Sequence, residues 1–104
     1  MTANPTDVIT LVNVYSVEPE RQDELVDLLY RTADELMRHQ PGFITAHIYR
    51  SMDGTRVTNY AQWRSMADFQ AVQQLPEAAK YVKASAELGA SDPHVYTVAS
   101  VHTA

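Results

Sequence analysis

VTNYAQWRSMADF, residues 57–69, is the stretch on which the reading of this chain turns. Its first seven residues carry β-branched and aromatic side chains in alternation, which reads as a strand, and Ser65-x-x-Asp68 then offers the capping signal of a helix start. With a period of two, Val57, Asn59, Ala61 and Trp63 share one face of that strand, and Arg56, Thr58, Tyr60, Gln62 and Arg64 share the other. Asn is a poor strand former because its amide competes for backbone hydrogen bonds. An amide on an apolar face costs about 1–3 kcal/mol if it lacks partners, so Asn59 is either satisfied by the fold or kept to bind something.

Working outward toward the N-terminus, GFITAHIYRS at residues 42–51 reads as a second strand, joined to the first by a hairpin at Met52-Asp53-Gly54. Two registers are open. A loop of Asp53-Gly54 alone sets Ile48 opposite Asn59 and sends His47 and Tyr49 to the face of Thr58 and Tyr60. A three-residue loop with Gly54 in the left-handed conformation sets His47 opposite Asn59 and Tyr49 opposite Val57. The second gathers His47, Tyr49, Asn59 and Trp63 together and is the register expected.

Farther out, VITLVNVYSV at residues 8–17 is apolar on both faces and reads as a covered strand. Glu18-Pro19 opens a helix in which Leu25, Val26, Leu29, Ala33, Leu36 and Met37 recur at helical spacing, and Pro41-Gly42 ends it. His39 in its last turn reads as a partner of the helix C-terminus. Toward the C-terminus, a short helix through Gln74 is interrupted at Pro76, and a second helical piece runs to Leu88 with Gly89 as its stop. Residues 90–92 read as a loop and residues 93–102 as a last strand, again apolar on both faces.

The order strand, helix, strand, strand, helix, strand is that of an α+β protein with a ferredoxin-like βαββαβ fold and a four-stranded antiparallel sheet. Residues 1–7 read as a flexible arm and residues 8–104 as one domain. Helices cover one face of such a sheet. Because the first and last strands are apolar on both faces, a second copy is the economical cover for the other face, giving a homodimer with its sheets packed face to face.

Composition narrows the function. The chain has 104 residues, 45% hydrophobic and 20% charged, with a net charge of −5. No Lys/Arg stripe is present, so neither nucleic acid nor an anionic membrane is an expected partner. The absence of cysteine removes thiolate chemistry and disulfides. No long apolar run or leader pattern is present, so a cytoplasmic location is the expectation. The four histidines lack metal-ligand spacing, and three glycines do not build a phosphate-cradling loop, so neither a metal nor a nucleotide cofactor is expected. What remains is an interior rich in aromatics, Tyr15, Phe43, Tyr49, Trp63, Phe69, Tyr81 and Tyr96, with Asn13, His47 and Asn59 among them. Most of these aromatics sit at core spacing. The combination also suits a flat aromatic ligand held between apolar walls and oriented by one or two polar groups.

The segments PGF at residues 41–43, DGT at 53–55, NYAQW at 59–63 and VYTVASVH at 95–102 resemble the antibiotic biosynthesis monooxygenase family, in particular the members that oxidise aromatic polyketides. The resemblance implies a homodimeric α/β barrel with one pocket per subunit and no metal, flavin or haem. It implies a reaction in which an anthrone-like phenol and O₂ give a quinone and water, the substrate enolate itself supplying the electrons. By match, Asn59 and Trp63 are the catalytic hydrogen-bond donors; Asn13, His47, Tyr49, Phe69 and Tyr81, from the aromatic and polar interior, are expected beside them as substrate-binding residues. This chain departs from relatives in having Phe69 where they carry Tyr, Tyr49 where some carry His, and Lys80 or Lys83 as the nearest counterparts of a pocket Arg. A haem-degrading relative would need an axial His on the helix after Trp63, and residues 67–74 contain none. A non-catalytic dimer that binds small aromatics is the other alternative.

Overall fold

The computed structural model describes residues 7–104, so the arm expected at residues 1–7 lies, apart from Asp7, outside the described residues. Four strands, β1 (Ile9–Val17), β2 (Phe43–Arg50), β3 (Arg56–Trp63) and β4 (Gly89–Thr97), form one antiparallel sheet in the order β2-β3-β1-β4. Helices α1 (Gln22–Glu35), α2 (Met66–Gln73) and α3 (Pro76–Leu88) complete the ferredoxin-like pattern. A 3₁₀ turn at Pro19–Arg21 leads into α1 and another at Met37–His39 leaves it. The His39 ring reaches the Asp34 carbonyl at 3.1 Å, at the C-terminal end of α1 as its position implied. Ser65 caps α2, its Oγ accepting from the Asp68 N–H at 3.1 Å.

The last strand differs from the sequence reading, which placed it at residues 93–102. It runs instead from Gly89 to Thr97, with Gly89 opposite Val17 and Pro93 opposite Asn13. The chain passes from α3 straight into the sheet because Gly89 lies close against β1, where a Cβ would meet the Ser16 carbonyl oxygen at 2.8 Å. Residues 90–92 look loop-like in composition, yet an edge strand tolerates polar residues and a proline that lacks an N–H.

The hairpin register also differs. Ile48 pairs with Asn59, His47 with Tyr60 and Tyr49 with Thr58. The loop spans Met52–Thr55 between Ser51 and Arg56, with Gly54 at φ 81°. Gln22, buried on α1, donates from Nε2 to the carbonyls of both Ser51 and Arg56 at 3.0 Å, so the helix fixes the hairpin's closing pair. Asp53 accepts from Ser51 Oγ, Thr55 Oγ1 and the Thr55 N–H. Those hydrogen bonds hold its pKa at about 2.

Near Pro41-Gly42 the pairing of β2 with β3 shifts between Phe43 and Thr45, a bulge that leaves Phe43 opposite Trp63 while Ala46 stays opposite Ala61. Without that extra residue, Phe43 and Ala46 would point to opposite faces. Gly42 sits at φ 83° and packs so closely on Asp68 that a Cβ would have no space.

Candidate active site

Two apolar clusters hold the helices on the sheet. Tyr15, Val17, Leu25, Leu29 and Val57 form one, with Leu25 and Val57 wholly buried. Trp63, Phe69 and Val72 form the other, with Leu11, Met37, Phe43 and Leu75 packed on it. Between them the side chains are small: Ala33 from α1 and Ala78, Ala79 and Ser85 from α3 face Ala46 and Ala61 on the sheet. None is long enough to close the gap, and a cavity of about 720 Å³ remains, a size suited to a polycyclic small molecule.

The floor of this cavity follows from the strand registers. Along β3 stand Asn59, Ala61 and Trp63, and beside them on β1 stand Asn13 opposite Asn59 and Leu11 opposite Ala61. Phe43 meets Trp63 edge-on, ring centroids 5.4 Å apart at 80°, and Phe69 lies 6.3 Å from it on the helical side. Trp63 is thus held from two sides and is 2% exposed.

Asn59 Oδ1 is buried without a hydrogen-bond partner among the described residues. An uncompensated acceptor in an otherwise partnered interior costs about 1–3 kcal/mol and points to a role other than stability. Asn59 itself lines the cavity. Asn13 is oriented differently: its Oδ1 accepts from the Asp92 N–H at 3.2 Å. At the α1–α3 side of the cavity, Tyr81 Oη donates to Glu35 Oε2 at 3.0 Å, and that carboxylate raises the tyrosine pKa above its ordinary value. Lys83 is the one charged residue on the lining among the described residues, where no carboxylate or imidazole is found.

The structure therefore brings Asn13, Asn59, Trp63, Phe69 and Tyr81 to one cavity. It does not bring His47 and Tyr49 there. The observed register turns both to the opposite face of the sheet, where the His47 ring stacks near Tyr49 at 6.0 Å and meets Tyr60 at 5.4 Å. Their expected place in the pocket is corrected accordingly. Tyr15 and Ser85 line the cavity as well, Tyr15 being expected only as an interior aromatic and Ser85 not being expected at the site. The run of Ala and Ser on the sheet-facing side of α3 carried the signal, because a core-facing helix with small side chains leaves space beneath it.

Fold and cavity together define a class, and the comparisons agree with it. The chain belongs to the antibiotic biosynthesis monooxygenase family, whose sequence model matches residues 8–84. It is 53% identical over 70 residues to tetracenomycin-F1 monooxygenase of Streptomyces glaucescens, an alignment covering 67% of this chain and 62% of that protein. The match thus spans less than two thirds of that relative's length. The structure of a monooxygenase from the gene ActVA-Orf6 of Streptomyces coelicolor, in complex with nanaomycin D, superposes with a TM-score of 0.86 at 29% identity, covering 97% of this chain and 96% of that one. SnoaB, a cofactor-independent oxygenase from Streptomyces nogalater, superposes with a TM-score of 0.79 at 26% identity, covering 91% and 96% of the two chains.

Proposed function

We propose that this protein is a cofactor-independent monooxygenase that oxidises an anthrone-type aromatic polyketide to a quinone with O₂. The observation that carries the reading is the Asn59 amide, its acceptor end buried without a partner among the described residues, on the floor of a cavity walled by Trp63, Phe43 and Phe69. Likeness to relatives described as monooxygenases and as a cofactor-independent oxygenase supports it.

In this reading the substrate's methylene loses a proton, and the enolate passes one electron to O₂. The radical pair then forms the C–O bond of a peroxide. Loss of water completes the change, so that CH₂ and O₂ become C=O and H₂O. Asn59 Nδ2 donates to the carbonyl that becomes the enolate oxygen, and the Trp63 indole N–H donates toward the peroxy or carbonyl oxygen. Donors fixed in a water-poor cavity stabilise developing negative charge without reorganising. With no carboxylate or imidazole on the described lining, the site favours the anion by stabilising it, with Lys83 adding a positive field, rather than by presenting a strong side-chain base. Asn13, Phe69 and Tyr81 hold the ring system.

The working unit in this reading is a homodimer built on the helix-free face of the sheet. There the cross-strand row His47, Tyr60, Val12 and His94 lies away from the three described helices, flanked by Tyr49 and Tyr96, each at least half exposed. Light scattering should give twice the chain mass, and Tyr60→Glu, which sets a carboxylate in that row, should give monomers. Monomeric wild type would remove the dimer from this reading.

The direct test is oxygen uptake with emodin anthrone, after dialysis of the protein against EDTA. Uptake well above the buffer rate, with one O₂ consumed per quinone formed, is expected. Binding without uptake would favour a non-catalytic aromatic-binding protein.

A further inference from the structure

The cavity is polar at one end and apolar at the other. Trp63, Phe43, Phe69, Val72 and Met37 close one end. The opposite end is reached along β1, where Tyr15 pairs with Val57 on one side and with Ser91 on the other, and it carries the hydroxyls of Tyr15, Ser85 and Ser91. Tyr15 and Ser85 are each 5% exposed.

The hydrogen bonds of this pair leave one proton loosely held. Ser85 Oγ donates its only proton to the Val82 carbonyl at 2.9 Å, so toward Tyr15 it acts as acceptor. The Tyr15 hydroxyl points at Ser85 Oγ from 3.5 Å, well beyond the usual O–H···O range of about 2.5–3.0 Å. A buried phenol in that position is a donor awaiting a better acceptor.

We infer that Tyr15, backed by Ser85, is a specificity-determining contact that binds a ring oxygen of the substrate and sets which way round the ligand lies. This deepens the function proposed above and rests on its reading of the cavity as an aromatic site. The chemistry selects the ligand class. In a phenol that flanks a ring carbonyl, the phenolic proton is taken by that carbonyl, and the phenolic oxygen presents only lone pairs outward. Such an oxygen needs a donor, and Tyr15 has one proton to give. A ligand with oxygens flanking its carbonyl then lies with that edge toward Asn59 and Tyr15 and with its oxygen-free methylene toward Trp63. The carbon to be oxidised meets O₂, itself apolar, at the apolar end.

Trp63 is the only tryptophan and lines the cavity, so its fluorescence reports occupancy directly. Anaerobic titration of the full-length protein with unsubstituted anthrone and with 1,8-dihydroxyanthrone tests the inference. Wild type should bind the dihydroxy compound roughly five- to tenfold more tightly, the worth of one hydrogen bond. Tyr15→Phe, which keeps the ring and removes a weakly bonded hydroxyl, should erase that preference and leave the affinity for unsubstituted anthrone unchanged. Equal weakening toward both ligands, or no change toward either, overturns the inference. If wild type discriminates as expected and Tyr15→Phe abolishes it, but no oxygen is consumed on adding air, the contact stands and the monooxygenase reading fails.

Discussion

At the scale of single residues, Asn59 carries the most information. Its side chain interrupts an apolar strand face, which makes it conspicuous in sequence, and its Oδ1 has no donor among the described residues. A group that costs stability and serves a reaction should show both properties when removed. Asn59→Ala is therefore expected to lower kcat by about 10²-fold, the usual loss for one positioned donor, while the melting temperature stays the same or rises. Thermal unfolding alongside steady-state rates checks this, and a clear fall in melting temperature would assign Asn59 to the core instead. Trp63 was equally legible, two residues along on the same face. The Tyr15–Ser85 pair was not, because it depends on where a turn of α3 lands over β1, and no local pattern encodes that.

At the scale of elements, the hairpin between β2 and β3 shows how a local signal can leave the decisive choice open. Met52-Asp53-Gly54-Thr55 fits more than one turn, and the registers differ by one residue, which sends every side chain to the other face. The selection comes from outside the hairpin, where Gln22 clasps Ser51 and Arg56, and it moves His47 and Tyr49 away from the site. Asp53 organises the loop as an anion. Its folded-state pKa, about 2, lies below the ordinary aspartate value of 3.8, so its contribution to stability is full above pH 3.8 and is lost as pH falls toward 2. The melting-temperature difference between wild type and Asp53→Ala should thus be constant near neutrality and shrink between pH 4 and about 2. A difference independent of pH would exclude this role. Gly42 offers a second check, since Gly42→Ala combines a positive φ with a collision against Asp68. A loss above about 1 kcal/mol is expected in urea unfolding.

At the scale of the whole molecule, element order and helix faces were readable from periodicity alone, and so was the ferredoxin-like topology. The limits of β4 were not, because residues 90–92 join the sheet only through the length of β1 they meet. The cavity is a property of the assembly, a gap between two apolar clusters kept open by small side chains. Filling it should separate stability from function. Ala61→Leu on the floor is expected to hold or raise the melting temperature while weakening anthrone binding at least tenfold by Trp63 fluorescence, since added apolar volume fills space that ligand requires. Unchanged binding would place the ligand elsewhere. If Asn59 and Trp63 make this cavity an oxygenase site, oxygen uptake with emodin anthrone depends on both, and it is to be compared across wild type, Asn59→Ala and Trp63→Phe as folded proteins. One O₂ per quinone in the wild type, with rates in both variants lower by about 10²-fold, is the expected result. Equal rates in all three proteins, or a wild-type rate no faster than buffer, would contradict it.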